Sequence, residues 1–457
     1  MRRFVLSALL IIVLILPSCI PASPTSKVEV ITHPDGPLYV GDQVSFEVLA
    51  PDASQPKGSS VEVEFNGQVL GRADFSPYGL GGRDQATLWW IWDTRNLNPG
   101  RYTLTFTRLP DNFTWDETIS LHPASQVPPP EPEAHWASTT TVCCTIYYIT
   151  GTAAARDIAA LSQEADQESA DVASQLDAKL DKRIDLVLMP RVIGQGGFTE
   201  SEIYVSYLDG NYIGNDAPII FHHEFVHYYD NLLGGDNRPS IFEEGLAVYL
   251  TGGHFKPEPL LARGAALLDL GRYIPLTTLA DDFYNQQHEI GYLEAATLVE
   301  YLVNTYGWQA FNDFYRTIPQ SNGGTVSEAI DSALRQHFGI SFADMETAYL
   351  DYLRSQPFTD DERTDLKLTV EFFDTVRRYQ KVLDPSAYFL TAWLPDGAAM
   401  RQRGIVADFL RSPRGWKNRL VEAMLSRAQM ELFSGDYKDT ERTLKWINWV
   451  LDVVAPG

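Results

Sequence analysis

The sequence predicts a multi-domain protein with an N-terminal β-sandwich, a central α+β domain and a C-terminal α-helical region. Short runs of alternating β-branched and aromatic residues continue to about Leu121, a proline-rich stretch follows, and helical periods dominate the remainder. The 457 residues exceed one typical domain, and a hydrophobic content of 44% is sufficient for several cores. We expect domains at residues 28–122, 137–355 and 356–457, with residues 123–136 as a stiff, extended proline-rich linker.

The first 27 residues are expected to direct the chain out of the cytoplasm. Arg2 and Arg3 precede an apolar stretch from Phe4 to Leu16, which is shorter than the ~18 residues of a membrane-spanning helix. Residues 1–19 therefore predict a secretory signal, and residues 20–27 a tether. The end of the signal, Leu-Pro-Ser-Cys, resembles a bacterial lipobox, which implies a lipid anchor on Cys19. Because the proline is unusual there, simple secretion and an uncleaved anchor stay open.

The N-terminal domain is expected to be a sandwich of short strands separated by turns such as Asn66-Gly67. The expected strands are Val44–Val48, Val61–Phe65, Leu88–Trp92 and Arg101–Phe106. The pattern resembles an immunoglobulin-like module, which acts as a spacer or binds sugars or proteins. Trp89, Trp90 and Trp92 are either core residues or an exposed recognition patch.

Charge and cysteine content narrow the function classes. The formal net charge of −24 argues against nucleic acid and anionic lipid as partners, because both would repel this surface.

Apart from Cys19, the chain has only Cys143 and Cys144. Adjacent Cα atoms are about 3.8 Å apart, below the usual disulfide range, so we expect two buried thiols within a β-strand.

The remaining chain is expected to be mostly helical. Strands are predicted at Ile184–Met189 and Ile203–Tyr207. Helices are predicted at Ala153–Lys182, Leu260–Leu270, Tyr292–Tyr306, Trp308–Thr317, Val326–Phe338 and Phe342–Leu353. The segment Arg419–Leu451 resembles one tetratricopeptide-like hairpin around Gly435, but no second copy follows. A helical cap on the central domain is therefore the simpler interpretation.

The most informative motif is His223-Glu224-Phe225-Val226-His227. It lies in a predicted helix that Asp216 can cap and that ends at Gly234-Gly235. Histidines four residues apart point the same way on a helix, so both imidazoles can bind one cation with Glu224 beside a metal-bound water. The alternative is a pair of core histidines bonded to the backbone.

The next predicted helix offers a third ligand. Ser240 and Glu243 have the spacing of a capping box, which would occupy Glu243 and leave Glu244 free for the metal. Gly245 inside this helix costs about 1 kcal/mol relative to alanine, which predicts close approach of another backbone. Two helices converging on one ion would provide that approach.

These motifs, with the Glu244-Gly245-Leu246-Ala247 sequence, resemble the gluzincin metallopeptidases over about Ser138 to Arg354. The resemblance implies an α+β peptidase domain, Zn²⁺ as cofactor, and His223, His227 and Glu244 as its ligands. It also implies that Glu224 is the general base. Sixteen residues separate His227 from Glu244, which is more similar to the compact bacterial, peptidase MA-like branch than to the aminopeptidases.

The same resemblance suggests roles for flanking segments. The strand at Ile203–Tyr207 is similar to the edge strand that holds an extended peptide, although an ordinary sheet strand is equally consistent. The segment beginning at Gly291 resembles a tyrosine-bearing helix, which makes Tyr292 and His288 candidates for stabilising the oxyanion.

The expected function is hydrolysis of peptide or protein substrates by a secreted, surface-anchored zinc endopeptidase outside the cytoplasm. The alternative is a non-catalytic cell-surface binding or scaffold protein with a peptidase-like fold. The sequence identifies neither the preferred side chains nor the oligomeric state.

Overall fold

A computed structural model describes residues 28–49, 58–78, 83–190, 196–207, 217–384, 397–411 and 415–454. The predicted signal, tether and lipid anchor, and the helix cap at Asp216, lie outside these ranges. No helix within them is both long enough and apolar enough to cross a membrane.

The N-terminal region contains two β-sheets that share one core. Its strands are β1 (Glu29–His33), β2 (Leu38–Tyr39), β3 (Gln43–Leu49), β4 (Ser60–Phe65), β5 (Gln68–Asp74), β6 (Ser76–Tyr78), β7 (Arg83–Asp93), β8 (Gly100–Leu109) and β9 (Phe113–His122). The sheet orders are β1-β3-β7-β6 and β2-β9-β8-β4-β5. Inward side chains from both sheets, such as Phe46 and Phe106, meet edge to face between them. The immunoglobulin-like assignment stays a prediction.

The tryptophans of β7 are mainly core residues. Trp92 is buried between the two sheets, and Trp90 is buried in a second apolar cluster that includes Met400 and Phe409. Trp89 is partly buried and contacts the ring of Trp90. The core interpretation therefore describes two of the three residues.

The sequence predicts a linker that is extended throughout residues 123–136, and this prediction is wrong. The linker forms 3-10 turns at Ala124–Gln126 and Glu131–Glu133. Arg411, from a distant part of the chain, binds the carboxylates of both Asp42 and Glu131. The proline-rich composition favours extended backbone, but this buried arginine and the local turns override it.

The central domain contains a five-stranded mixed sheet. Its strands are β10 (Trp136–Thr140), β11 (Cys144–Ile149), β12 (Ile184–Met189), β13 (Gly197–Thr199) and β14 (Ile203–Ser206), in the order β10-β11-β12-β14-β13. Strands β11, β12 and β14 are parallel, and the two outer strands are antiparallel to them. Of the two interpretations of the strand at Ile203–Tyr207, the edge strand is wrong and the ordinary sheet strand is correct, because the chain preceding it folds back as β13 and pairs with it.

Cys143 and Cys144 form a disulfide with each other, so the prediction of two thiols is wrong. In a continuous strand, neighbouring side chains point to opposite faces. The chain instead bends at Val142 and Cys143 before β11 begins. The Asp166 carboxylate accepts hydrogen bonds from the backbone N–H groups of Val142 and Cys143 and holds this bend.

Helices cover the sheet and form most of the remaining described chain. In the central domain they are α1 (Ala153–Gln175), α2 (Ala217–Leu233), α3 (Ser240–Thr251), α4 (Leu260–Asp269), α5 (Leu276–Asp281), α6 (His288–Tyr306), α7 (Trp308–Arg316), α8 (Val326–Phe338) and α9 (Phe342–Arg354). They continue with α10 (Asp360–Leu383), α11 (Gly397–Arg403), α12 (Ala407–Leu410), α13 (Trp416–Phe433) and α14 (Tyr437–Val454). The expected hairpin around Gly435 is α13 and α14, which packs on α10 around a separate apolar core.

Candidate metal centre

Helix α2 is buried along most of its length, and its three histidines have different surroundings. Every residue from Ile220 to Asp230 is buried. The ring of His222 is already bonded at both nitrogens, with Nδ1 2.7 Å from Glu168 Oε2 and Nε2 3.0 Å from Gln175 Oε1 on α1. His222 therefore anchors α2 to α1, while His223 and His227 point towards α3.

Helix α3 does not begin with the predicted capping box. Pro239 occupies the N-cap position, and no side chain caps the helix, so Ser240 is already its first helical residue. The carbonyl of Pro239 accepts bonds from the N–H groups of Phe242 and Glu243, which starts the helix one residue earlier than expected. Glu243 instead lies 3.5 Å from Arg238.

The close backbone approach that Gly245 predicts is present, but its partner is α6 rather than α2. A Cβ atom on Gly245 would lie 2.5 Å from the carbonyl oxygen of Ala295 and 2.7 Å from its carbonyl carbon. Both are backbone atoms, which cannot move aside as the end of a flexible side chain can. The absence of a side chain at Gly245 therefore lets α3 and its neighbour Glu244 lie against α6.

The Gly245→Ala substitution is expected to destabilise the fold by about 1–3 kcal/mol, the usual cost of overpacking a tight core. Denaturant unfolding of the purified protein measures this change. Gly291→Ala is the matched control, because a Cβ there meets only the end of the Leu279 side chain, at 3.3 Å. An equal loss of stability in the two variants would contradict the proposed backbone contact.

The side chains of His223, His227 and Glu244 meet at one buried point. His227 Nε2 lies 3.0 Å from His223 Nε2 and 3.1 Å from Glu244 Oε2, and His223 Nε2 lies 3.4 Å from the same oxygen. A tetrahedral zinc ion with bonds of about 2.0–2.2 Å would separate neighbouring ligand atoms by roughly 3.3–3.6 Å. Two imidazoles and a carboxylate are also ligands that zinc accepts. The residues present therefore fit a zinc ion.

The pKa values of the three side chains in this centre depend on one another. Burial opposes protonation of His227, but the Glu244 carboxylate outweighs it and raises the pKa of His227 to about 10. Burial alone would raise the pKa of Glu244, whereas the charge of His227 and bonds from both histidines lower it well below its usual value. Burial lowers the pKa of His223 to about 4. A bound cation would replace the proton that the Glu244 carboxylate stabilises on His227.

Glu224 lies beside the centre and is held by the edge strand. Thr199 Oγ1 donates to Glu224 Oε2 at 2.8 Å and to the Glu224 carbonyl at 3.1 Å. A Cβ atom on Gly197 would lie 2.9 Å from Glu224 Oε1, so a glycine here leaves room for the carboxylate. Burial raises the pKa of Glu224 to about 7, which is a suitable range for a general base.

Two tyrosines border the Glu244 carboxylate. The Tyr284 hydroxyl donates to Glu244 Oε1 at 2.8 Å, while its ring is largely exposed. Tyr292 is buried, with its ring centroid 6.2 Å from that of His223. Burial and the negative charge of Glu244 raise the pKa of Tyr292 well above its usual value. The sequence identified Tyr292, but Tyr284 carries no motif signal because it lies in a short 3-10 turn.

His288 does not reach the three-ligand cluster itself. Its ring stacks on Tyr292 at 4.2 Å, and its Nδ1 lies 3.3 Å from Glu289 Oε1. His254, which the sequence reasoning missed, stacks on Tyr292 at 4.3 Å and lies 5.7 Å from the ring of His223. Its only local signal is its position directly after the Gly-Gly exit of α3.

No protein-family model matches the chain, and no curated protein sequence matches it. Among solved structures, the chain is similar to the crystal structure of an aminopeptidase N family protein from Idiomarina loihiensis. The sequence identity is 12% and the TM-score 0.31, over 72% of this chain and 76% of that chain.

Proposed function

We propose that this chain is a zinc-dependent peptidase with His223, His227 and Glu244 as the metal ligands. The convergence of three buried donor atoms beside the buried Glu224 carboxylate supports this function. When bound, zinc would lower the pKa of a coordinated water and polarise the carbonyl of the scissile bond. The remaining chemistry belongs to the side chains around it.

Glu224 is the general base in this proposal. Its carboxylate accepts a proton from the attacking water and then delivers that proton to the leaving amine nitrogen. The Thr199 hydroxyl, 2.8 Å from Oε2, holds the carboxylate in a single orientation. Because Thr199 belongs to β13, this strand orients the base.

Tyr292 is the proposed donor to the oxyanion. The phenol is protonated at neutral pH, as any tyrosine of ordinary or raised pKa is, so the hydroxyl can donate to the oxygen on which negative charge develops. His288 supports this group through ring stacking at 4.2 Å and through its contact with Glu289. His288 is thus a positioning residue for Tyr292 in this proposal.

The outer edge of β13 is the proposed binding strand for an extended peptide. Hydrogen bonds from Ser206 N–H to the Gly196 carbonyl and from Glu200 N–H to the Glu202 carbonyl define the side facing β14. By strand alternation, the backbone N–H and C=O groups of Gly197 and Thr199 point to the other side. No strand of the described chain pairs there. A peptide added at this edge would pass Glu224, which supports cleavage within a chain.

Anchoring at the cell surface is also part of the proposal. A lipid on Cys19, the cysteine of the lipobox-like sequence, would place the peptidase outside the cytoplasm on a bacterial membrane. Peptides or proteins of the cell envelope and its surroundings would then be its substrates.

A peptide library with blocked and free termini tests this function. Zinc-loaded protein is expected to cleave internal bonds in both sets, to lose activity with a chelator and to regain it with zinc. Cleavage restricted to free N-termini would replace the endopeptidase assignment with an exopeptidase. Failure of zinc-loaded protein to cleave any peptide would favour the binding or scaffold function.

The pH profile of hydrolysis is expected to have an acidic limb set by Glu224. Burial raises its pKa to about 7 from an ordinary value of 4.5, and a bound divalent cation would lower it within that interval. The base acts when deprotonated, so kcat/KM should rise with pH through this interval and then level off. The profile is measured with zinc content checked at each pH. A kcat/KM that increases as the pH falls from ~7 to ~5 would contradict this role.

A further inference from the structure

A second group of two histidines and a carboxylate lies beyond Tyr292. His254 Nδ1 lies 3.1 Å from Glu289 Oε1, and His288 Nδ1 lies 3.3 Å from the same oxygen. The three ligand atoms lie within 4.8 Å of one another. The side chains of His254, His288 and Glu289 are 15%, 23% and 4% exposed, so the group is screened from solvent but not sealed.

The arrangement repeats the chemistry of the first centre. Nitrogen-to-oxygen distances of 3.1 and 3.3 Å are close to the separation of roughly 3.3–3.6 Å between ligands of a tetrahedral ion. Stacking on Tyr292 fixes both imidazoles, at 4.3 Å for His254 and 4.2 Å for His288. The Glu289 carboxylate contacts both imidazoles and is buried, so its negative charge favours a cation between them.

We propose that His254, His288 and Glu289 form a second metal site, which binds one divalent transition-metal ion beside the first. Two of the three donors are imidazole nitrogens, which suit zinc or cobalt and disfavour calcium and magnesium. The two sites are neighbours, because the ring centroid of His254 is 5.7 Å from that of His223. The site does not depend on peptidase activity, since a non-catalytic scaffold with these side chains would bind the same ion.

The alternative to a metal site is a hydrogen-bonded group in which one oxygen of Glu289 accepts from both imidazoles. Metal stoichiometry separates the two arrangements. In the first experiment, chelator-stripped protein is titrated with Co²⁺ alone, and visible absorption reports coordination by imidazole. In the second, equilibrium dialysis against Zn²⁺ counts the ions bound per chain. The parent protein is expected to bind two equivalents. His227→Ala should retain one equivalent, at the second site, and the His227→Ala/His288→Ala double variant none.

The variants that remove the second site are His288→Ala and Glu289→Gln, each expected to bind one equivalent. His135→Ala is the matched control, because His135 is exposed and lies outside both groups, and should bind two. Circular dichroism checks that each variant is folded. If either His288→Ala or Glu289→Gln fails to fold, the metal content of the other variant tests the site. The proposal is overturned if the folded His288→Ala and Glu289→Gln variants bind as many equivalents as the parent, whether that number is one or two. Peptide hydrolysis is measured separately, so failure of the proposed peptidase function can be distinguished from failure of the second metal site.

Discussion

The Glu224→Gln variant is expected to retain zinc and to lose peptide hydrolysis. The amide has nearly the shape of the carboxylate, and its oxygen can accept the hydrogen bond that Thr199 Oγ1 donates at 2.8 Å. The amide cannot, however, accept a proton from water near neutral pH. Loss of a general base typically lowers the rate by about 10²–10⁴-fold, and a loss in this range is expected in kcat/KM. Peptide cleavage kinetics and elemental analysis of zinc on the same sample measure both results.

A control variant separates this effect from a general loss of acidic charge near β13. Glu200 follows Thr199 and is exposed, so Glu200→Gln should leave both zinc content and kcat/KM close to those of the parent. Equal activity of Glu224→Gln and the parent on a cleaved peptide would contradict the assignment of the base.

The His227→Ala variant is expected to lose the metal of the first centre and all activity that depends on it. His227 Nε2 lies within 3.1 Å of both other ligand atoms, so its removal leaves two donors for the ion. Loss of a group that merely orients a ligand costs about 10–100-fold in metal affinity, and loss of a ligand should exceed that. Competition with a chelator of known affinity measures the change.

His222 provides the control on the same helix. Both of its ring nitrogens bond residues of α1, so His222→Gln should preserve zinc binding even if it reduces stability. Unchanged zinc affinity in folded His227→Ala would contradict the ligand set. An equal loss of affinity in folded His222→Gln would show that the effect arises from disturbance of α2 instead.

The sequence predicted those parts of the centre that depend on local periodicity. The four-residue spacing of His223 and His227 specifies one helix face, and Gly245 correctly predicted a close backbone contact. The placement of Glu244 beside the histidines was also expected, although its supporting argument, a capping box at Ser240, is wrong. Pro239 provides the helix start, and no local pattern distinguished these two arrangements.

Other parts of the site depend on tertiary packing and were not predictable. Strand β13 has three residues, too few for a periodic signal, and pairing with β14 defines it. His254 lies 31 residues after His223 in the sequence, and only folding brings their ring centroids to within 5.7 Å of each other. The Cys143–Cys144 disulfide depends on a bend held by Asp166, which is distant in sequence. Each of these features requires knowledge of a non-local contact.

The central claim is that His223, His227 and Glu244 jointly bind zinc. Anomalous diffraction at the zinc edge from crystals of the zinc-loaded protein tests it most directly. The account predicts a peak at about 2.0–2.2 Å from His223 Nε2, His227 Nε2 and a Glu244 carboxylate oxygen. It would be contradicted by the absence of a peak between these atoms, or by a Glu244 side chain turned away from an ion that only the two histidines bind.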